Sequence, residues 1–142
     1  MVLSSGSSPR QLNASKAAHR LDIEERVFGL RGDPERVART LQQKYNTAIV
    51  VVTLGEEGAL AVDETVHRQR RVPRVQPVDL LGAGDAFAAG FLYGWLTEGV
   101  QRGVDIGGAT GALACTMIGD FAFVTLAEVE ELLASEDPEI RR

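Results

Sequence analysis

The chain has 142 residues, 44% hydrophobic and 25% charged, with a net charge of −5; this is the length and mixture of one soluble globular domain. The negative balance argues against a nucleic-acid binder, whose affinity draws on a basic footprint, and no apolar run approaches the roughly 18 residues of a membrane helix. The polar opening lacks the basic start and apolar middle of a secretion signal; with a lone cysteine, Cys115, unable to form an internal disulfide, a reducing cytoplasm is the expected compartment.

Residues 1 to about 20 are Ser-rich and without sustained period, and read as a tail or a badly anchored entry. A short helix is expected over Leu21–Phe28, stopped by Gly29. Asp33-Pro34-Glu35 is a strong helix start: a capping carboxylate, a proline in the first turn, then an acid near the positive helix end. That helix carries Val37, Leu41 and Tyr45 at helical spacing and ends at Asn46.

Ala48–Leu54 is β-branched and continuously apolar, as in a strand buried on both faces. Gly55-Glu56-Glu57-Gly58 breaks it, Ala59–Val62 is a second strand, and Val66–Val75 is a weaker third with polar residues outward. Within the third, Arg68, Arg70, Arg71 and Arg74 read as a solvated strand face. After Asp79 come a glycine-rich turn and a small-residue helix over about 84–96, stopped near Gly99. Further helices are expected over 104–118 and, amphipathic, over Leu126–Ala134. Strands and helices interleave, so the fold class is α/β. Gly90 and Gly94, four apart on one helix, suit close helix packing, and Phe91 and Trp95 read as core, as does Cys115. The two histidines, His19 and His67, are far apart and suggest neither zinc nor a Ser-His-Asp triad.

The chemistry concentrates in Asp79-Leu80-Leu81-Gly82-Ala83-Gly84-Asp85-Ala86-Phe87-Ala88-Ala89-Gly90. Two glycines flank an alanine where the chain enters a helix, leaving backbone N–H groups bare. With the positive helix end behind them, such groups cradle an anion. Asp85 would repel a resting phosphate there, unless it takes a proton from an attacking hydroxyl while the amides of Gly82, Ala83 and Gly84 hold the developing charge. The alternative is a plain helix cap after a flexible turn. Asp79 either holds a cation or nucleotide contact or caps the turn. A dinucleotide fingerprint is excluded because Phe87 stands where its third glycine belongs, and no Gly-Lys-Ser or Gly-Lys-Thr of a P-loop occurs.

Asp79–Gly90 resembles the C-terminal signature of the ribokinase/PfkB carbohydrate kinases, Asp-Thr-x-Gly-Ala-Gly-Asp-x-Phe. Thr53-Leu54-Gly55-Glu56-Glu57-Gly58 resembles the Thr-x-Gly-x-x-Gly turn that lines the nucleotide site of that family, and Gly58 and Asp85 are 27 residues apart, as the family's spacing requires. The resemblance covers about residues 26–135. It implies the C-terminal half of a three-layer ribokinase-like fold, with residues 1–25 a poorly matched tail and 26–142 the nucleotide-binding, phosphoryl-transfer half. It also implies that Asp85 is the catalytic base, that Gly82, Ala83 and Gly84 form the anion hole, and that Thr53, Gly55, Gly58, Gly82, Gly84 and Gly111 contact nucleotide. ATP and Mg²⁺ are the implied cofactors, with K⁺ near Asp79. Gly111-Ala112-Leu113-Ala114 and Gly119-Asp120-Phe121-Ala122-Phe123-Val124-Thr125 resemble the 2-keto-3-deoxygluconate kinase branch, implying a sugar-acid substrate.

The sequence departs from the pattern in places. Leu80 stands where the family has Thr, Gly108 or a neighbour replaces an Asn before the helix alanines, and Arg20-Leu21-Asp22-Ile23 offers no match to the family's Asn-x-x-Glu element, which helps organise Mg²⁺. The N-terminal half that supplies the sugar pocket and lid in the family has no counterpart here. The expected partners are therefore sugar acid and ATP, with self-association or a separate N-terminal half covering the exposed apolar face, and neither nucleic acid nor membrane. A non-catalytic nucleotide-binding or oligomerising remnant is the competing reading.

Overall fold

The computed structural model describes residues 2–3, 33–119, 122–135 and 139–140. The helix expected over Leu21–Phe28, the Arg20–Ile23 segment and Asp120-Phe121 lie outside them.

Helix α1, Pro34–Tyr45, starts as its sequence dictates. The Asp33 carboxylate accepts from the N–H groups of Glu35 and Arg36 at 3.1 and 3.3 Å, satisfying two first-turn donors. It stops at Asn46, whose φ of 47° is left-handed. Val37, Ala38 and Leu41 are buried. Tyr45, expected on the same face, is 51% exposed, because the helix ends there; its ring lies 5.5 Å from the Lys44 ammonium.

The main sheet has the order β1-β2-β3-β4, with β1 Val2–Leu3, β2 Val50–Thr53, β3 Ala59–Val62 and β4 Val66–Arg68. β1 runs parallel to β2 with Val2 opposite Val51; this pairing falls in the segment read as a tail, and two residues carry too little pattern to reveal it. The other pairs are antiparallel, Val50 opposite Val62 and Leu60 opposite Arg68. Because side chains alternate along a strand, Val50, Val52, Leu60 and Val62 pack on the buried face of α1. Val51, Ala59 and Ala61 pack instead on Phe87, Phe91 and Val104. These belong to helices α2, Ala83–Glu98, and α3, Val100–Ala114. The result is helix, sheet and helix pair in three layers, with β2 buried on both faces as its sequence requires.

The third strand is not continuous over 66–75. β4 ends at Arg68, and β5, Arg74–Val75, joins a second sheet in parallel with β6, Glu139–Ile140. Two causes act between them. Asp105 of α3, 3% exposed, accepts the Arg70 backbone N–H at 2.8 Å and the Arg70 Nε at 2.7 Å, drawing the chain off the ladder. Buried Pro73 then has no N–H to offer a ladder. The basic stretch is thus more than a solvated face. Arg68 pairs with Glu35 at 3.4 Å, Arg70 with Asp105, and Arg71 donates to the carbonyls of Leu133 and Ser135 at the end of helix α4, Leu126–Ala134.

α2 begins at Ala83, and α3 begins at Val100 instead of 104, directly after Gly99. The two helices meet along a glycine seam, as the Gly90/Gly94 spacing suggested. A Cβ on Gly94 would stand 2.7 Å from the Arg102 carbonyl oxygen, and one on Gly103 2.8 Å from that of Phe91. Phe91 is 3% exposed, but Trp95, expected in the core, is 38% exposed. Each four-residue step along a helix overshoots a full turn by about 40°, so the row Phe87, Phe91, Trp95 rotates from core to rim, with the last two ring centroids 6.1 Å apart. α4 carries a capping box between Thr125 and Glu128, and its Val129 packs on Ile106, Ala109 and Leu113 of α3. Arg102 ties Glu98 to Glu130 across the three helices.

Candidate anion-binding turn and its surroundings

The turn before α2 is built by one left-handed residue and one carboxylate. Gly82 has φ 78° and ψ −10°, which a side chain would strain. Its carbonyl accepts the Ala86 N–H at 2.9 Å, opening the helix. Asp79 fixes the approach: Oδ1 accepts the Leu81 N–H at 3.0 Å and Oδ2 accepts the Gly119 N–H at 3.1 Å. These backbone donors, Leu81 first, hold its carboxyl below the ordinary value.

Three backbone donors remain bare. The N–H groups of Gly82, Gly84 and Asp85 make no hydrogen bond among the described residues. The Ala83 N–H, expected beside them, reaches the Leu80 carbonyl at a long 3.4 Å. The Asp85 amide was missed by the sequence reading, although any first-turn residue of a helix lacks a carbonyl four residues back. The Asp85 side chain is exposed and has no partner among the described residues. It therefore does not act as the cap of the turn; that capping falls to Asp79.

The end of α3 closes the turn from behind. The Cys115 carbonyl accepts the Val78 and Asp79 N–H groups at 2.8 and 3.3 Å. Gly111 is buried, and a Cβ there would lie 3.2 Å from the Ala83 carbonyl oxygen, so it spaces α3 from the turn and does not line an open surface. Burial, then the nearby Asp79 charge, pushes the Cys115 thiol upward, which suits a packing residue and not a nucleophile.

The second glycine turn follows β2. Gly55–Glu57 forms one 3₁₀ turn, the Leu54 N–H donates to the Gly58 carbonyl at 2.7 Å, and Thr53 sits at the strand end before it. Gly55 is open on its side-chain side. Gly58 is not: a Cβ there would stand 2.8 Å from Gln69 Oε1 and 2.7 Å from Val72 Cγ2. α3 is the element common to both turns. Its Gly108 abuts the Gln69 carboxamide beside Gly58, and its Gly111 abuts Ala83. The residues singled out from sequence thus fall into two groups, Thr53, Gly55 and Gly58 on one, Asp79, Gly82, Ala83, Gly84 and Asp85 on the other.

Among the described residues no group of three or more His, Cys, Asp or Glu side chains is placed to hold a metal ion. A lone ionised carboxylate such as Asp79 suits a cation that keeps its other ligands from water, backbone carbonyls or a ligand's phosphates.

Known proteins resemble this chain in sequence and in fold. The chain is 39% identical over 117 residues to the 2-dehydro-3-deoxygalactonokinase of Haloferax volcanii, covering 82% of this chain and 37% of that one. It is 32% identical to the 5-dehydro-2-deoxygluconokinase of Geobacillus kaustophilus, covering 79% and 34%. Among solved structures, 2-dehydro-3-deoxygluconokinase from Thermotoga maritima superposes with a TM-score of 0.68 at 26% identity, covering 80% of this chain and 39% of that one. Fructokinase from Vibrio cholerae, solved with fructose, ADP and calcium ion, gives 0.67 at 28%, covering 80% and 39%. The chain spans little more than a third of the length of these curated relatives. The model of the pfkB family carbohydrate kinases matches residues 17–126. With a ribokinase-like α/β fold and its glycine turn in place, the chain belongs to the pfkB family of carbohydrate kinases.

Proposed function

We propose that residues 26–142 are the nucleotide-binding, phosphoryl-transfer half of a cytoplasmic kinase that moves the γ-phosphoryl group of ATP to a hydroxyl of a sugar acid, 2-keto-3-deoxygluconate being the first candidate. The observation that carries this reading is the pairing of bare N–H groups at Gly82, Gly84 and Asp85 with an exposed carboxylate, Asp85, that has no partner among the described residues. Asp85 accepts the proton of the attacking hydroxyl. The bare amides stabilise the charge that grows on the transferring group, and the helix dipole of α2 adds to them. Asp79 positions these donors through Leu81 and Gly119. Thr53, Gly55 and Gly58 bound the nucleotide at the second glycine turn. When bound, Mg²⁺ neutralises nucleotide phosphates, and a monovalent cation such as K⁺ fits beside Asp79.

The substrate class is supported by two relatives acting on deoxy sugar acids. Among the described residues no helix is long and apolar enough to cross a membrane. We assign the sugar pocket to chain outside residues 26–142. Titrating the protein calorimetrically with Mg-ATP, then following ADP release across a panel of sugar acids, tests the proposal. Saturable binding with sugar-acid-dependent release is expected; binding without release on every acid would favour a non-catalytic nucleotide-binding remnant.

A further inference from the structure

Gln69 is held more tightly than a side chain in a loop between strands needs to be. Its own N–H donates to the Ala59 carbonyl at 2.9 Å. On one side, the Arg68 carbonyl accepts Gln101 Nε2 at 2.9 Å. On the other, the Arg70 N–H and guanidinium are held by Asp105, which also accepts Gln101 Nε2 at 3.3 Å. Two side chains of α3 thus hold the backbone before and after Gln69. The carboxamide lies in a notch between two glycines of different elements, Gly58 and Gly108, at both of which a methyl would overlap it.

The amide's orientation is also fixed. Gln69 Nε2 donates to the Arg71 carbonyl at 2.7 Å, and a carbonyl can only accept, so the nitrogen must face it. The oxygen, Oε1, points elsewhere and accepts no hydrogen bond among the described residues. A rigidly held acceptor with no donor selects a ligand that brings one.

We propose that Gln69 reads the nucleotide base, its Oε1 accepting the exocyclic amine of adenine and disfavouring a base with a carbonyl at that position. The inference rests on the nucleotide reading above. Its place suits it: Gln69 lies against Gly58 of the turn assigned to the nucleotide, and α3, which meets Gln69 at Gly108, meets Ala83 at the start of α2 at Gly111. A nucleotide lying along α3 with its phosphates at the α2 start carries its base toward Gln69. Guanine and hypoxanthine present an oxygen where adenine presents its amine, and two facing acceptors repel. A site built to pair one polar group rejects an analogue that leaves that group unpaired.

The test uses the whole chain and displacement of a fluorescent ADP analogue by ADP and by inosine diphosphate, which differ at this position. ADP is expected to bind about 5- to 30-fold more tightly, as one hydrogen bond gained and one repulsion avoided allow. Gln69→Ala, checked for folding by circular dichroism, is expected to bring the two within about twofold, by weakening ADP and by relieving the repulsion of inosine diphosphate. Equal affinity for both nucleotides in the unaltered protein overturns the assignment without any variant, as does a preference that survives Gln69→Ala. Failure of the unaltered protein to bind the ADP analogue at all overturns the nucleotide reading itself, and the assignment with it.

Discussion

The two ends of α2 use glycine for opposite purposes. At its start, Gly82 and Gly84 keep side chains away from N–H groups that face outward with no partner among the described residues. Further along, Gly90 and Gly94 let α3 approach until backbone touches backbone, with Gly103 and Gly107 returning the contact. One end is built for access, the other for closeness. The lesson is that glycine enrichment has no single meaning: its surroundings distinguish the two uses, since the exposed Asp85 stands at the open end and the backbone of the opposite helix meets the glycines of the seam.

This contrast can be broken by substitutions that should act on one end only. The largest effect is expected from Asp85→Asn, which keeps shape and removes the proton acceptor: sugar-acid-dependent ADP release should fall about 10²- to 10⁴-fold, with nucleotide affinity by calorimetry and melting temperature little changed. A variant that turns over like its parent removes Asp85 from the role of base. Gly94→Ala should do the reverse. Its methyl would meet the Arg102 carbonyl at 2.7 Å, and overpacking of that kind costs about 1–3 kcal/mol in urea unfolding, with nucleotide affinity preserved. Thr125→Ala, away from both ends, removes half of the capping box of α4 and sets the scale of an ordinary loss, about 1 kcal/mol.

A pH series sharpens the division between the two carboxylates. Asp79 has its folded-state value held below 3.8 by the Leu81 and Gly119 donors. Its contribution to stability is therefore complete above that value and disappears as pH falls through the lower, folded one. Melting temperatures of the parent and Asp79→Asn should differ most above pH 3.8 and converge as pH falls through the lowered, folded-state value. A gap that persists in acid would mean that the carboxylate's charge plays no part in holding the turn.

Much of this was legible in the sequence because the signals were local. Asp33-Pro34-Glu35 names a helix start by capping chemistry alone, and Val50–Val52 names a doubly buried strand by its unbroken apolar run. The glycine turn that opens α2 was legible for the same reason, since adjacent residues build it. What escaped was carried by partners far apart. Arg70 and Asp105 are 35 residues apart, yet their pairing ends the strand that the pattern extended to Val75. Trp95 followed the apolar spacing of Phe91 but not the rotation of the helix. Gln69 carried no signal, because its position depends on two glycines and two α3 side chains that only folding assembles.

The division of the sheet face by face has a further consequence. In a sheet wetted on one side, a strand that slips by one position exposes oil and hides polar groups, and that error is costly at once. β2 and β3 have no wet side over Val50–Val52 and Ala59–Val62, so polarity cannot police their alignment. Bulk must do it. Valine and leucine fill the gap toward α1, while alanines leave room for the two phenylalanine rings opposite, and a slipped strand would crowd one layer and hollow the other.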